Sequence, residues 1–222
     1  MQIIPADAWV GATPIVIAVD MDNTALKWTQ RFNERAIALF PDYPIVPEDE
    51  QEDYNHLIQP GSDWKMVETV MADPELYRDL EFYDGAIEAM LATAEAGYRD
   101  VILTTPDVTN PDCAPFKQDQ IRKAFGAEWV KRIIMAHDKT LVNAEILVDD
   151  KPVISGLHAP AWTRIMPNRP FNRYVQDGEI VMDTWQDWPR VLAQALISRG
   201  RELKDPARWA HVLNPELQAV SV

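Results

Sequence analysis

Asp20 and Asp22 stand two residues apart where an apolar run, Ile15-Val16-Ile17-Ala18-Val19, stops. Side chains of a strand alternate faces, so acids at i and i+2 leave the chain on the same side. Two carboxylates placed there can hold a hard cation through oxygen, and one can attack a phosphoryl group. Three more polar groups follow apolar runs in the same way. Val101-Ile102-Leu103 leads into Thr104 and Thr105, Ile146-Leu147-Val148 leads into Asp149 and Asp150, and Lys139 lies just past Ile133-Ile134-Met135. Each alone has an ordinary reading: a Thr pair makes a turn, a lysine is solvated, a double Asp caps a helix or loop. Their ordered recurrence, each behind its own strand, is what points to a site.

Taken together they supply phosphoryl-transfer chemistry. Asp20 is the candidate nucleophile, forming an aspartyl-phosphate that water hydrolyses, and Asp22 the acid that protonates the leaving oxygen and then deprotonates the water. Magnesium keeps waters and substrate phosphate in its shell, so Asp20 and one acid of the Asp149/Asp150 pair meet its needs. The ion also keeps Asp20 ionised beside a dianionic substrate. Thr104 can donate to a phosphate oxygen, and Lys139 can neutralise charge developing in the transition state.

Such groups need a parallel sheet whose strands end along one edge. An all-apolar strand is one covered on both faces, and ligands gather at the carboxyl ends of such strands. Residues 101–104, 133–135, 146–148 and 162–166 read as further strands. Helical patterns occupy 28–40 (Trp28, Phe32, Ala36 and Leu39 near one face), 63–71, 84–96 closed by Gly97, 116–125 ending at Gly126, and 189–198. The alternation predicts an α/β fold, a three-layer Rossmann-like parallel sheet. Residues 1–25 and 81–200 form its core, and 26–80, which lack strand signals, a small helical cap inserted after the first strand. Residues 201–222 read as a helical C-terminal appendage. The acidic stretch 48–53 reads as a solvated surface.

A length of 222 residues, with 47% apolar and 25% charged, suits one soluble domain and a modest insertion. The formal charge of −14 opposes nucleic-acid polymers and anionic membrane surfaces, while a metal and a lysine can still attract a small anion. One cysteine, Cys113, leaves no internal disulfide and no multi-cysteine zinc site. With no apolar run of membrane-spanning length and no basic, apolar start, a cytoplasmic location is expected. His56, His137, His158 and His211 lack metal-ligand spacing, and Trp185 and Trp188 read as anchors of the closing helix.

Asp20-Met21-Asp22-Asn23-Thr24, Thr104, Lys139 and Asp149-Asp150 resemble the four motifs of the haloacid dehalogenase superfamily of phosphatases. Asp138-Lys139-Thr140 followed by Ile146-Leu147-Val148-Asp149-Asp150-Lys151 resembles the stretch ending in the metal site of the 5'(3')-deoxyribonucleotidases. Trp129 to Ile134, Leu103-Thr104-Thr105-Pro106 and the Trp-rich segment 185–192 are similar to other parts of that family, so the resemblance spans about residues 15 to 195. It implies a magnesium-dependent phosphatase acting on (deoxy)ribonucleoside monophosphates, with Asp20 as nucleophile and Asp22 as acid/base. It further implies that Asp22 gives its backbone carbonyl to magnesium and that Asp150 is a direct ligand supported by Asp149. Thr104, with Thr105 beside it, and Lys139 match phosphate contacts; Trp28, Tyr54 and Met71 match positions lining a base pocket. Family members tend to dimerise, so a homodimer is expected. The chain departs from the family at Asn23, where Gly is usual, and at Asn143-Ala144-Glu145 before the metal strand. Asn tolerates a left-handed conformation, so the loop can survive.

Two other readings stay open at this level: a phosphatase of the same superfamily for a sugar phosphate or other small metabolite, and a non-catalytic nucleotide-binding protein. The first turns on whether Trp28 and Tyr54 face the phosphate site or merely pack together. The intact set Asp20, Asp22, Lys139 and Asp150 argues against the second.

Overall fold

Ile17, Ala18 and Val19 are completely buried because their strand is central. The computed structural model describes residues 1–11, 14–55 and 63–214. Among these residues six strands make one parallel sheet: β1 (Val16–Val19), β2 (Arg99–Thr104), β3 (Ile133–Met135), β4 (Ile146–Val148), β5 (Thr163–Pro167) and β6 (Ile180–Met182), ordered β3-β2-β1-β4-β5-β6. Ala18 pairs with Val101 on one side and with Leu147 on the other. The chain leaves β1 toward β2 and leaves β4 toward β5, so the connections diverge between β1 and β4. That divergence opens the crevice in which open α/β sheets bind ligands.

Among the described residues seven α-helices accompany the sheet: α1 (Trp28–Leu39), α2 (Trp64–Met71), α3 (Ala86–Glu95), α4 (Cys113–Phe125), α5 (Ala127–Val130), α6 (Trp188–Ser198) and α7 (Ala210–Leu213). The fold is therefore the expected three-layer α/β arrangement. Helix α4 starts three residues before the expected point, since Pro115 sits in its first turn, where a missing N–H costs nothing. Gly97 ends α3 at φ +90, a conformation that favours glycine. Strand β6 has only three residues and escaped the sequence pattern.

The larger core cluster joins Ile17, Val19, Ile146 and Val148 to Met90 of α3 and to Val191 and Leu192 of α6. On the opposite face Ala18, Leu103 and Leu147 pack with Ala144 and Trp162, under segments 136–145 and 149–162. Those segments hold a 3-10 turn, Lys139–Leu141, and their irregular backbone sets the geometry of the site described below. Between β1 and β2 lie α1, with Trp28, Phe32 and Ala36 buried, and α2, capped by the Asp63 carboxylate. Residues 202–204 lie against the amino terminus: Val10 N donates to Glu202 O, and Lys204 N to Ala8 O. His56 and the end of the expected appendage, 215–222, lie outside the described residues. Among the described residues no helix is long and apolar enough to cross a membrane.

One acid sits where the core should be apolar. Asp100 in β2 is 1% exposed, and neither carboxylate oxygen has a hydrogen-bond partner among the described residues. Burial pushes its carboxyl up to about 7, with Arg132 opposing. The folded state thus holds this proton more tightly than the unfolded chain, whose aspartates titrate near about 4. Stability contributed by the protonated form is complete below that value and is lost as pH rises to about 7. We expect Asp100→Asn to flatten this dependence by on the order of 3–4 kcal/mol. In thermal melts at a series of pH values the variant should gain on the parent from acid to neutral pH. Parallel curves would place the titration elsewhere.

Candidate active site

The loop leaving β1 is held at every turn. Asp20 N donates to Val148 O at 2.9 Å, tying the end of β1 to β4. Asn23 adopts φ 53, a left-handed conformation that glycine favours and asparagine tolerates. Unlike glycine, it also offers a side chain: its Oδ1 accepts from Thr29 N at 2.9 Å, satisfying an orphan amide in the first turn of α1. Arg169 Nε donates to the Asn23 carbonyl at 2.9 Å. Thr24 Oγ1 donates to Asp150 Oδ1 at 2.8 Å and accepts from Asp150 N at 3.1 Å. Asn172 Nδ2, in turn, donates to Asp150 O and Pro167 O.

Asp20, Asp149 and Asp150 converge at the crevice between β1 and β4. One oxygen from each lies within 4.8 Å of the others, and all three residues are buried. Lys139 Nζ sits 2.7 Å from Asp20 Oδ1 and 2.5 Å from Asp149 Oδ2. These carboxylates and burial oppose each other at Lys139, and the carboxylates prevail, raising its ammonium further. Burial, then mutual repulsion with Asp149 and Asp20, pushes Asp150 far above the carboxylate range. Its Oδ2 is buried and has no partner among the described residues. Three carboxylates against one ammonium, an all-oxygen donor set and one orphaned oxygen fit a hard divalent cation such as magnesium. The Asp22 carboxylate is not in this group; its Oδ2 lies 2.6 Å from Lys117 Nζ.

Lys139 is placed by its neighbours. Asp138 Oδ1 accepts from Thr140 N at 2.9 Å and Thr140 Oγ1 at 2.6 Å, while its Oδ2 accepts from Leu157 N at 2.8 Å. His158 N donates to Thr140 Oγ1. One carboxylate thus fastens the turn bearing Lys139 to the segment that follows Asp149 and Asp150. The approach is so close that a Cβ on Gly156 would lie 1.9 Å from Asp138 Oδ1.

Lys117 of α4 escaped the sequence reading. It is 2% exposed, and its Nζ contacts Asp22 Oδ2 at 2.6 Å, Thr104 Oγ1 at 2.8 Å and Thr105 O at 3.0 Å. A signal existed: Cys113, Lys117 and Ile121 share the buried stripe of the helix at four-residue spacing, and a lysine inside such a stripe needs a partner. Thr104 is fully buried against this lysine, whereas Thr105 is exposed and its Oγ1 donates to Ala136 O. The Cys113 thiol sulfur accepts from Asp107 N. His137 is exposed, and His211 contacts Gln2.

Beside Asp22 opens a cavity of about 760 Å³ lined by Trp28, Tyr54 and Met71, the three expected base-pocket positions, and by Thr105. Trp64 and Tyr77, which the sequence did not single out, line it too. Trp28 and Tyr54 therefore face the same space as Asp22. Trp28 packs on Phe32 with ring centroids 5.4 Å apart, and Tyr54 meets Phe171 edge-on at 5.4 Å.

Gly156→Ala should drive the 151–158 segment off Asp138 and release Lys139. We expect release of phosphate from a phosphomonoester to fall by about tenfold or more, with the protein still folded by circular dichroism. A variant as active as the parent would show that this contact does not govern the lysine.

A family described as 5' nucleotidase, deoxy (pyrimidine), cytosolic type C protein matches residues 13–198. The mitochondrial 5'(3')-deoxyribonucleotidase of Mus musculus is 28% identical over 187 residues, 79% of this chain and 84% of that protein. The cytosolic-type 5'(3')-deoxyribonucleotidase of Homo sapiens is 28% identical over 172 residues, 74% of this chain and 85% of that one. Among solved structures, a haloacid dehalogenase-like family hydrolase from Xanthomonas campestris shares the fold, with a TM-score of 0.53 at 14% identity over 86% of this chain and 95% of that one. The chain belongs to the 5' nucleotidase, deoxy (pyrimidine), cytosolic type C family, on a haloacid dehalogenase-type fold.

Proposed function

We propose that the chain is a magnesium-dependent 5'(3')-deoxyribonucleotidase, a phosphoric monoester hydrolase that releases phosphate from deoxyribonucleoside monophosphates. The observation that carries this reading is the juxtaposition of the Asp20–Asp149–Asp150 cluster with an aromatic cavity reached past Asp22. The family description, naming deoxy pyrimidine nucleotides, supports the substrate class.

Asp20, Asp149 and Asp150 would hold the magnesium ion, with Asp22 adding its backbone carbonyl. Bound there, the ion offsets the charge that a phosphate dianion adds to the carboxylates. Asp20 attacks phosphorus, a bond from its carboxylate oxygen forms, the bond to the nucleoside oxygen breaks, and Asp22 gives that oxygen a proton. Water then attacks the aspartyl-phosphate while Asp22 takes its proton back, and inorganic phosphate leaves Asp20. Lys139 neutralises charge on the moving phosphoryl group, and Thr104 and Thr105 position it. Residues 26–80 act as a small cap over the core of 1–25 and 81–200, with 201–222 appended. From that cap Trp28 stacks on the base, contributing about 1–3 kcal/mol, with Tyr54 and Met71 beside it.

A phosphate-release panel with magnesium should favour deoxyribonucleotides over ribonucleotides and sugar phosphates. A preference for sugar phosphates would sink the assignment. Asp20→Asn should cut kcat/KM by about a thousandfold or more, and undiminished release would remove Asp20 as nucleophile. Chelation with EDTA should abolish release, and added magnesium should restore it; activity that survives chelation would remove the metal from the reaction.

A further inference from the structure

Lys117 is the one lysine besides Lys139 that is buried among the candidate catalytic residues, yet it stands apart from the acidic cluster. An ammonium has three donors. Those of Lys117 face three acceptors, namely the Asp22 carboxylate from the β1 loop, the Thr104 hydroxyl at the end of β2, and the Thr105 carbonyl. Its Nζ also lies 5.5 Å from the Tyr77 ring centroid. Asp22, by contrast, keeps 27% of its side chain exposed and lines the cavity, with Lys117 directly behind it. A lysine that is 2% exposed and whose three hydrogens are all committed has none left for a substrate phosphate.

We infer that Lys117 is a positioning residue: it acts on the reaction by fixing the Asp22 carboxyl in orientation, not by touching the phosphate. The inference rests on the phosphatase reading above. With one oxygen accepting from an ammonium anchored to β2, rotation of the Asp22 carboxyl is restrained. Its proton is then delivered toward the leaving oxygen as the bond from phosphorus to that oxygen breaks and the bond to Asp20 forms. Both strand ends are thereby kept in register by a side chain from the helix that follows β2.

The test uses two substrates that differ in their need for that proton. Thymidine 5'-monophosphate leaves as an alkoxide and requires it; p-nitrophenyl phosphate leaves as a stabilised phenolate and does not. Comparing kcat/KM confines the measurement to transfer onto Asp20. We expect Lys117→Met to lower kcat/KM for thymidine 5'-monophosphate by about a hundredfold, and by at least about tenfold less for p-nitrophenyl phosphate. In an Asp22→Asn background the same change should cost less than about threefold on the nucleotide, because the group it orients is gone. Lys117→Arg keeps the charge but not the three-acceptor fit, so it should show the same bias between substrates, more weakly, and serves if the Met variant does not fold. Equal losses on both substrates, or an undiminished loss in the Asp22→Asn background, would overturn the inference alone. A parent protein that releases phosphate from neither substrate would overturn the nucleotidase reading and this inference with it.

Discussion

Four carboxylates, Asp20, Asp22, Asp149 and Asp150, gather at the ends of two neighbouring strands with two ammonium groups, Lys117 and Lys139, among them. Bringing so much like charge out of water is costly, and each group must be satisfied by a partner fixed from elsewhere in the chain. Lys139 divides its ammonium between Asp20 and Asp149. Asp150 has Thr24 on one oxygen and nothing on the other among the described residues. The raised carboxyls of Asp22, Asp149 and Asp150 have the same leading cause, burial. A site held this way stores a demand for positive charge, which a divalent cation would meet at the point where the sheet's connections diverge.

That demand explains why backbone loops around the site are so heavily tied. The loop after Asp20 is stitched to α1 through Asn23, to β4 through Thr24, and to the segment after β5 through Arg169. Arg169 in turn lies 4.0 Å from the Tyr83 ring centroid, and Tyr83 donates to Glu48. Repulsion among the acids would otherwise be relieved by moving these loops apart. Asn23 illustrates the economy of the arrangement: it takes a left-handed conformation that glycine favours and adds the amide acceptor that Lys27, heading α1 without a side-chain cap, does not provide.

Much of this was legible in the sequence because strands of a parallel sheet are short, apolar and punctuated. A run such as Ile146-Leu147-Val148 ending in two acids declares both its burial and its edge, and each of the strand-end groups lies where that rule puts it. What lay hidden depends on side chains entering from another element. Lys117 sits inside a helix, four residues from Cys113, and its partners are 95 and 13 residues away in the chain. Trp64 and Tyr77 reach the cavity through the packing of segments around α2, which no local pattern encodes. Asp100 precedes the run 101–104 that marks the strand in the sequence, and only its burial within β2 makes it costly. Gly156 follows β4 in a segment without periodicity, so its contact with Asp138 has no sequence signature beyond its being glycine.

The two lysines differ in their surroundings, not in their chemistry. Lys139 emerges from a 3-10 turn held by Asp138 and meets the acids that face the crevice, where charge changes as a ligand arrives. Lys117 is sealed behind Asp22, with a full set of acceptors, in a place whose charge balance is already closed. The aromatic side chains of the cavity come from residues 28–77, whereas the carboxylate–ammonium contacts are made by Asp20 and Asp22 at the end of β1, by Lys117 of α4 and by Lys139 and Asp149 after β3 and β4. Substitutions at Trp28, Tyr54, Trp64 or Met71 can therefore reshape what the cavity accepts while the charge arrangement at the strand ends stays intact.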